Sequence, residues 1–478
     1  MTTALLVTSN GVGMGHLSRQ LSVALACGDD VRPVLFSLSV GLPQVLGRGV
    51  GGEYCPSYER DWMPRRSWHA YLRRRVVAIA RELAVDVLVF DGVAPYRGLL
   101  AARSSLPGVS FVWMRRSMWG RHVGASRLRS AAAFDRVWEP GDLGSDQDRG
   151  VTAGRTDAEP IPPVSMLEVV PRLVRREAAE RLGLDADRPA LLVTLGSGRL
   201  GDPVSPAQVV LDEMAGHPEW QVAITRSAIA TSGVPVGDRD RVVELRDVFP
   251  LVEYLQAFDA AVGAAGYNAV HELVSGGLPT LLVPNEVTRT DDQLARARGV
   301  ERRGLALAAR ESDPSNIVRH LGRLRDPTTR REITEAISAL APDDRMGGAR
   351  TAATRLAAPG DGTSRRRLRG WGARVEDAAR AAVMAALAAS GTGFGRRVVQ
   401  RPGPNVLLAP MTVMPTDLAE ATGPPTPLIV TESLDMELMA SGRPIEHLLA
   451  GSSEEYRARR KEIVRAHYRV QDPGYRTQ

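Results

Sequence analysis

The sequence predicts an α/β protein built from two doubly wound, Rossmann-like halves with an additional C-terminal α/β segment. Three observations carry this reading. Short apolar runs alternate with stretches of helical spacing over the first part of the chain; the pattern breaks at 139–163 into Pro, Gly, Asp and Thr; and a second alternating series follows up to about residue 357. Strand and helix in alternation mean a parallel sheet covered on both faces. Two such halves place a ligand in the cleft between the carboxyl ends of their strands.

In the first half, residues 1–160, the runs 4–8, 34–37, 85–90 and 111–114 read as buried strands, because they are short, apolar and rich in β-branched or aromatic residues. Residues 17–26 and 68–83 between them read as helices. The second half, residues 161–358, predicts a helix at 172–182, strands at 191–195, 221–225 and 242–245, and a helix at 251–257. It continues with a strand at 260–263, a helix at 268–275, a strand at 280–283 and helices over 292–357. Near Pro359 the composition shifts again, through the basic stretch 365–369, into the segment 359–478.

The 478 residues carry 61 Lys+Arg against 55 Asp+Glu, a net charge of +6, and every basic residue except Lys461 is arginine. Hydrophobic residues at 44% and charged residues at 24% exclude wholesale disorder and a collagen-like chain. Cys27 and Cys55 are too few for a disulfide framework or a four-thiolate metal site. The N-terminus has no basic stretch before its first apolar run, and no apolar run reaches the length of a membrane span. A cytoplasmic location is expected. Aromatic residues at 5%, with no basic-aromatic module, argue against nucleic acid as partner.

The first strand leads into Ser9-Asn10-Gly11-Val12-Gly13-Met14-Gly15-His16. Glycines such as Gly13 and Gly15 let backbone N–H groups approach a ligand, and the helix that follows adds partial positive charge. His16 stands where the last glycine of a dinucleotide fingerprint would fall, and residues 34–37 hold no acidic residue, so a nicotinamide enzyme is disfavoured. A histidine at this place is either a general base facing the cleft or a structural cap of the turn. Asp91, beside the strand 85–90, is expected on the same sheet edge, where it would orient the imidazole.

The second informative stretch runs Gly266-Tyr267-Asn268, Glu272, Gly277-Leu278-Pro279 and then Asp292-Gln293. Gly266 permits a tight turn after the strand, Asn268 at a helix start can receive a diphosphate, and Glu272 can accept hydrogen bonds from a ribose diol. Asp292 and Gln293 could read sugar hydroxyls. At these residues the sequence resembles the nucleotide-sugar box of the UDP-glycosyltransferases of the GT-B fold, and of the related lipid-linked glycosyltransferases that build peptidoglycan precursors. The Gly11–His16 loop is similar to the acceptor-side loop of those families, and Gly196-Ser197-Gly198 to their donor-side loop. Two positions depart from the pattern: Ala264 replaces a diphosphate-binding His, and Arg296 stands where Asn often follows the Asp-Gln pair.

The resemblance implies a glycosyltransferase of cell-surface polysaccharide or glycoconjugate synthesis. It would move a sugar from a nucleotide-diphosphate sugar, a UDP-sugar by the resemblance, to an acceptor hydroxyl. His16 would remove the acceptor proton, Asp91 would steady His16, and no metal or other cofactor would be needed. The Asp-x-Asp pairs Asp146/Asp148, Asp185/Asp187 and Asp238/Asp240 lie in polar loops and read as surface turns rather than a metal site. Arg115 and Arg116 read either as ligands of an acceptor phosphate or carboxylate, or as solvated loop charges. The acceptor would be lipid-linked or phosphorylated. The aromatic-basic stretch from Trp62 to Arg75 allows peripheral contact with the inner face of a membrane, and equally an ordinary amphipathic helix.

In the C-terminal segment, Glu437-Leu438 and Gly442-Arg443-Pro444 repeat Glu272-Leu273 and Gly277-Leu278-Pro279 at an offset of 165 residues. Thr431, Ser433 and Ala458 fall at the places of Gly266, Asn268 and Gln293, so the segment reads as a degenerate, accessory partial copy of the donor half. Two other functions fit the same residues: a nucleotide-sugar epimerase of the same fold, which would need acid and base carboxylates in the cleft, and a non-catalytic nucleotide-sugar-binding protein.

Overall fold

The computed structural model describes residues 1–9, 14–39, 41–46, 48–57, 65–196, 202–226, 242–288 and 290–358. Gly13, Ser197, Trp62, the Asp238/Asp240 pair and the repeat in 359–478 lie outside the described residues.

The first sheet holds β1 (Thr2–Thr8), β2 (Val31–Ser37), β3 (Gly51–Tyr54), β4 (Val87–Asp91), β5 (Ser110–Met114), β6 (Arg136–Pro140) and β7 (Glu159–Ile161). Their spatial order is β3-β2-β1-β4-β5-β6-β7, all parallel. The central strand β1 is apolar on both faces because helices cover both, and Ala4, Leu5 and Leu6 are fully buried. The second sheet has β8 (Ala190–Thr194), β9 (Gln221–Arg226), β10 (Val242–Arg246), β11 (Ala260–Ala264), β12 (Thr280–Val283) and β13 (Leu307–Ala308), in the order β10-β9-β8-β11-β12-β13. Both sheets are doubly wound, with the strand order reversing at β1/β4 and at β8/β11. Ligands of such sheets bind at these reversal points.

Differences from the sequence reading concentrate at the sheet margins. The stretch 139–163, expected as a linker, supplies the end of β6 and all of β7, because Pro140 lies beyond the β5 ladder and Pro160 on the edge strand β7, where a missing N–H is tolerated. The short strand β3, Gly-Gly-Glu-Tyr, carries too few apolar residues to stand out from a loop, and the two-residue strand β13 falls inside 292–357, expected as helices, because two apolar positions are too few to break helical spacing. The helix expected at 268–275 is a helical turn, Tyr267–Ala269, that runs into a π-helical turn, Val270–Val274.

Several contacts join the halves, two of them backbone-close. The loop at Gly144 lies against the helix Gln293–Arg302, and a Cβ on Gly299 would come within 2.8 Å of the Gly144 Cα. The last described helix, Gly348–Ala357, returns to pack on Gly15–Ala26 of the first half, with Ala349, Ala352 and Leu356 sharing a core with Leu17 and Leu21. The Glu168 carboxylate accepts the Ala349 and Arg350 N–H groups at 3.1 and 3.2 Å, placing an anion at that helix's N-terminal end.

Candidate active site

The register of β1 against β4 pairs Thr8 with Asp91, so the loop after β1 and the last residue of β4 open side by side. His16, second residue of the helix Gly15–Ala26, lies within 2.8 Å of Asp91, Nδ1 to Oδ1. Arg19, one helical turn further on, grips the same carboxylate with two N–H groups: Nε donates to Oδ2 at 2.9 Å and Nη2 to Oδ1 at 2.8 Å. Nη2 is also 2.8 Å from His16 Nδ1, and Nη1 donates across the cleft to Asn268 Oδ1 at 2.9 Å. Burial works against the Asp91 carboxylate, but Arg19 and His16 hold its pKa down to about 2. For His16, burial is the largest influence and Asp91 opposes it; with Arg19 and Arg116 nearby, the pKa ends below the ordinary histidine value. The imidazole is therefore kept neutral and able to accept a proton.

The opposite wall begins where β11 ends. Gly266 precedes the helical turn, and Tyr267 is buried, its hydroxyl accepting the Val164 N–H at 3.0 Å. The Asn268 side chain faces the first half and also donates from Nδ2 to the Gly15 carbonyl at 3.2 Å. Glu272 lies further along the π-helical turn; among the described residues its carboxylate has no hydrogen-bond or ion-pair partner, and burial pushes its pKa up to about 8. Asp292 caps the helix Gln293–Arg302, accepting the Ala295 N–H at 3.0 Å. Gln293 turns toward the cavity, with Oε1 accepting the Asn285 N–H at 3.0 Å.

Between these walls lies a cavity of about 910 Å³. Gly15, His16, Arg19 and Arg116 line it from the first half, and Gly196, Gly266, Asn268 and Gln293 from the second. Asp292 and Glu272 are not among its lining residues, whereas Asp291 is. Asp291 Oδ1 accepts from Arg296 Nη2 at 2.8 Å and from Arg116 Nη1 at 3.3 Å. Burial would raise its pKa, but Arg296 and Arg116 bring it to about 2.

The two arginines after β5 separate. Arg116 lines the cavity, while Arg115 is fully buried and bonded to Glu139 at 3.0 Å and Asp157 at 2.8 Å, so it is no acceptor ligand. Trp68 and Tyr71 also point inward, at 0% and 1% exposure, with Trp68 Nε1 donating to the Pro56 carbonyl at 2.7 Å. These two aromatics are thus part of the core and not of a membrane-facing surface. Asp148 accepts from the Met118 and Gly150 N–H groups and from the Thr152 hydroxyl, which makes it a loop brace. Among the described residues no group of His, Cys, Asp and Glu is arranged to hold a metal ion, and no helix is long and apolar enough to cross a membrane.

Sequence reasoning missed Arg19 and Asp291. The signal for Arg19 was its place three residues after His16, which puts both side chains on one helix face. Asp291 was overlooked beside the more familiar Asp292-Gln293 pair.

The glycosyltransferase family 28 C-terminal domain matches residues 232–344. A relative from Clavibacter sepedonicus, named UDP-N-acetylglucosamine--N-acetylmuramyl-(pentapeptide) pyrophosphoryl-undecaprenol N-acetylglucosamine transferase, is 30% identical over 284 residues, covering 58% of this chain and 72% of that one. Among solved structures, the spinosyn rhamnosyltransferase superposes with a TM-score of 0.51 at 14% identity, over 74% of this chain and 100% of the other. The UDP-GlcNAc 2-epimerase from Neisseria meningitidis gives 0.52 at 11% identity, over 74% and 98%. A transferase and an epimerase superpose equally well, so these two likenesses speak to the fold alone.

Proposed function

The chain belongs to the GT-B glycosyltransferases of family 28, and from that premise we propose that it transfers N-acetylglucosamine from its UDP derivative to a hydroxyl of a lipid-linked acceptor, with His16 as general base and no metal ion. The donor and the acceptor class come from the name of the relative. One observation carries the assignment of the base: His16, 2.8 Å from the buried carboxylate of Asp91, shares a cavity with the Gly266–Asn268 turn of the other half.

In this reading the donor diphosphate lies at the Gly266–Asn268 turn, with Gly196 on the same cavity wall. Gln293 reads the sugar from the cavity wall, while Glu272 for the ribose hydroxyls and Asp292 for the sugar, both outside the cavity lining, are assigned by the resemblance. Asp91 holds the imidazole so that Nε2 faces the acceptor. Nε2 takes the acceptor proton as the oxygen attacks the anomeric carbon, and the bond from that carbon to the diphosphate oxygen breaks. The leaving diphosphate gains negative charge, which Arg19, Arg116 and the backbone N–H groups of the turn offset. These fixed cations support a mechanism that works without a metal ion.

The test uses UDP-sugar labelled in the sugar, with N-acetylmuramyl-(pentapeptide) pyrophosphoryl-undecaprenol as acceptor. The label is expected to move to the lipid in the presence of EDTA, and not to move with His16→Ala. Loss of transfer on chelation overturns metal independence. Conversion of the sugar to its epimer without acceptor overturns the transferase reading in favour of the epimerase.

A further inference from the structure

The triangle of His16, Asp91 and Arg19 contains a conflict. Nδ1 of a neutral imidazole carries either a proton or a lone pair. An ionised carboxylate only accepts and a guanidinium only donates, yet Asp91 Oδ1 and Arg19 Nη2 each lie 2.8 Å from this one nitrogen. The two partners demand opposite tautomers. Facing Asp91, Nδ1 holds the proton and Nε2 is a free base. Facing Arg19, Nδ1 accepts, the proton sits on Nε2, and the ring cannot take another there.

Which partner prevails depends on where the guanidinium is drawn. Its Nε and Nη2 are anchored on Asp91, and its Nη1 reaches out of the first half to Asn268 Oδ1 at 2.9 Å. That bond is to a neutral amide, in a cavity that Arg19 itself lines. A diphosphate beside Asn268 would offer Nη1 a charged acceptor, a stronger partner than the amide carbonyl. A small turn of the guanidinium toward it lengthens the contact from Nη2 to the imidazole and leaves Asp91 in possession of Nδ1–H.

We propose that Arg19 is a positioning residue that ties the tautomer of His16 to the donor: with the donor site empty it competes with Asp91 for Nδ1, and a bound nucleoside diphosphate draws it off, leaving Nε2 as the free base. This rests on the reading of His16 as base and of a diphosphate sugar as donor. The arrangement keeps the base unready until the donor is in place. Proton balance is conserved throughout: the single imidazole proton moves from Nε2 to Nδ1 by exchange with water. Nε2 then gains the acceptor proton, and the imidazolium returns one proton to solvent after the sugar has moved.

The experiment reads the tautomer directly, by long-range proton–nitrogen correlation spectra of the full chain labelled at histidine. The signals of His16 among the 8 histidines are found by their loss in His16→Gln. Wild type is expected to show the Nε2–H tautomer alone and the Nδ1–H tautomer when saturated with UDP. Arg19→Met removes the competing donor and is expected to show Nδ1–H in both conditions, with the donor KM raised at least ~10-fold. Arg19→Lys keeps the cation needed beside Asp91 if Arg19→Met fails to fold; lacking the planar fork, it is expected to give the same tautomer with and without UDP. A wild-type tautomer indifferent to UDP, or variants that respond to UDP as wild type does, overturns the proposal. Undiminished transfer by His16→Gln, with the wild-type tautomer still following UDP, overturns the base reading and leaves the tie between Arg19 and the tautomer standing.

Discussion

Arg296 and Asp142 form an ion pair across the two halves with neither side chain exposed, Nε to Oδ2 at 2.9 Å. The same guanidinium donates from Nη1 to the Ala265 carbonyl at 2.9 Å and from Nη2 to Asp291 at 2.8 Å. Arg296 thus joins the loop after β6, the end of β11 and the cavity wall. A residue that departs from the family's usual Asn is here a brace of the domain interface.

Removing Asp142 leaves the buried Arg296 charge with Asp291 as its remaining carboxylate partner. Asp142→Ala is expected to destabilise the protein by about 3 kcal/mol, at the low end for a broken buried pair because Arg296 keeps Asp291 and a carbonyl. Denaturant unfolding of the ligand-free protein measures it. A loss below about 1 kcal/mol would show that the pair is not needed to hold the halves together.

His16→Ala is expected to lower kcat by about 10²–10⁴-fold while leaving UDP binding near wild type, the signature of a lost general base. The base must be neutral to act, and its pKa lies below the ordinary histidine value because of burial. Activity is therefore expected to persist on the acid side of that ordinary value and to fall only at lower pH. The pH dependence of kcat in wild type, measured at saturating donor, checks the sign.

Glu272 gives a pH-dependent stability of its own. Its folded pKa is raised to about 8 from 4.5, so the fold favours the neutral acid. That contribution is complete below the unfolded value of 4.5 and is lost as pH rises to about 8. Glu272→Gln is expected to raise the ligand-free Tm above pH 8 and to change it little below pH 4.5. Above pH 8, where Glu272 is ionised, UDP is expected to stabilise this variant less than wild type if the ribose contacts this carboxylate. Thermal melts across this range, with and without UDP, test both statements.

The neighbours Arg115 and Arg116 should fail in different ways. Arg115→Ala strips Glu139 and Asp157 of a buried partner and is expected to lower stability by about 2–3 kcal/mol without changing the donor KM. Arg116→Ala removes a cation from the cavity and is expected to raise the donor or acceptor KM with a smaller loss of stability. Paired melts and kinetics on the two variants would reveal an exchange of these roles.

Much of the fold was legible because local chemistry and global arrangement agree. The runs at 4–8 and 260–263 are apolar at every position since they become central strands, and Gly266-Tyr267-Asn268 follows one of them as a turn should. Asp91 could be placed near His16 because residues at the ends of neighbouring parallel strands share one edge. The marginal strands β3, β7 and β13 were not legible: the glycines of β3 and the proline of β7 look like a loop, and β13, only Leu307–Ala308, is too short to interrupt the helical spacing around it.

By itself the sequence determined the two alternating halves, the glycine turns at their reversal points and the candidate base and donor residues, since each depends on the order of neighbouring residues. Only the tertiary structure decided which charges matter. Arg19, Arg115 and Arg296 look in sequence like any of the chain's other arginines, and all three are buried against carboxylates that lie 72, 24 and 154 residues away. An arginine's role is set by the partner that compensates its burial, and that partner is supplied by packing between distant segments, which spacing along the chain does not encode.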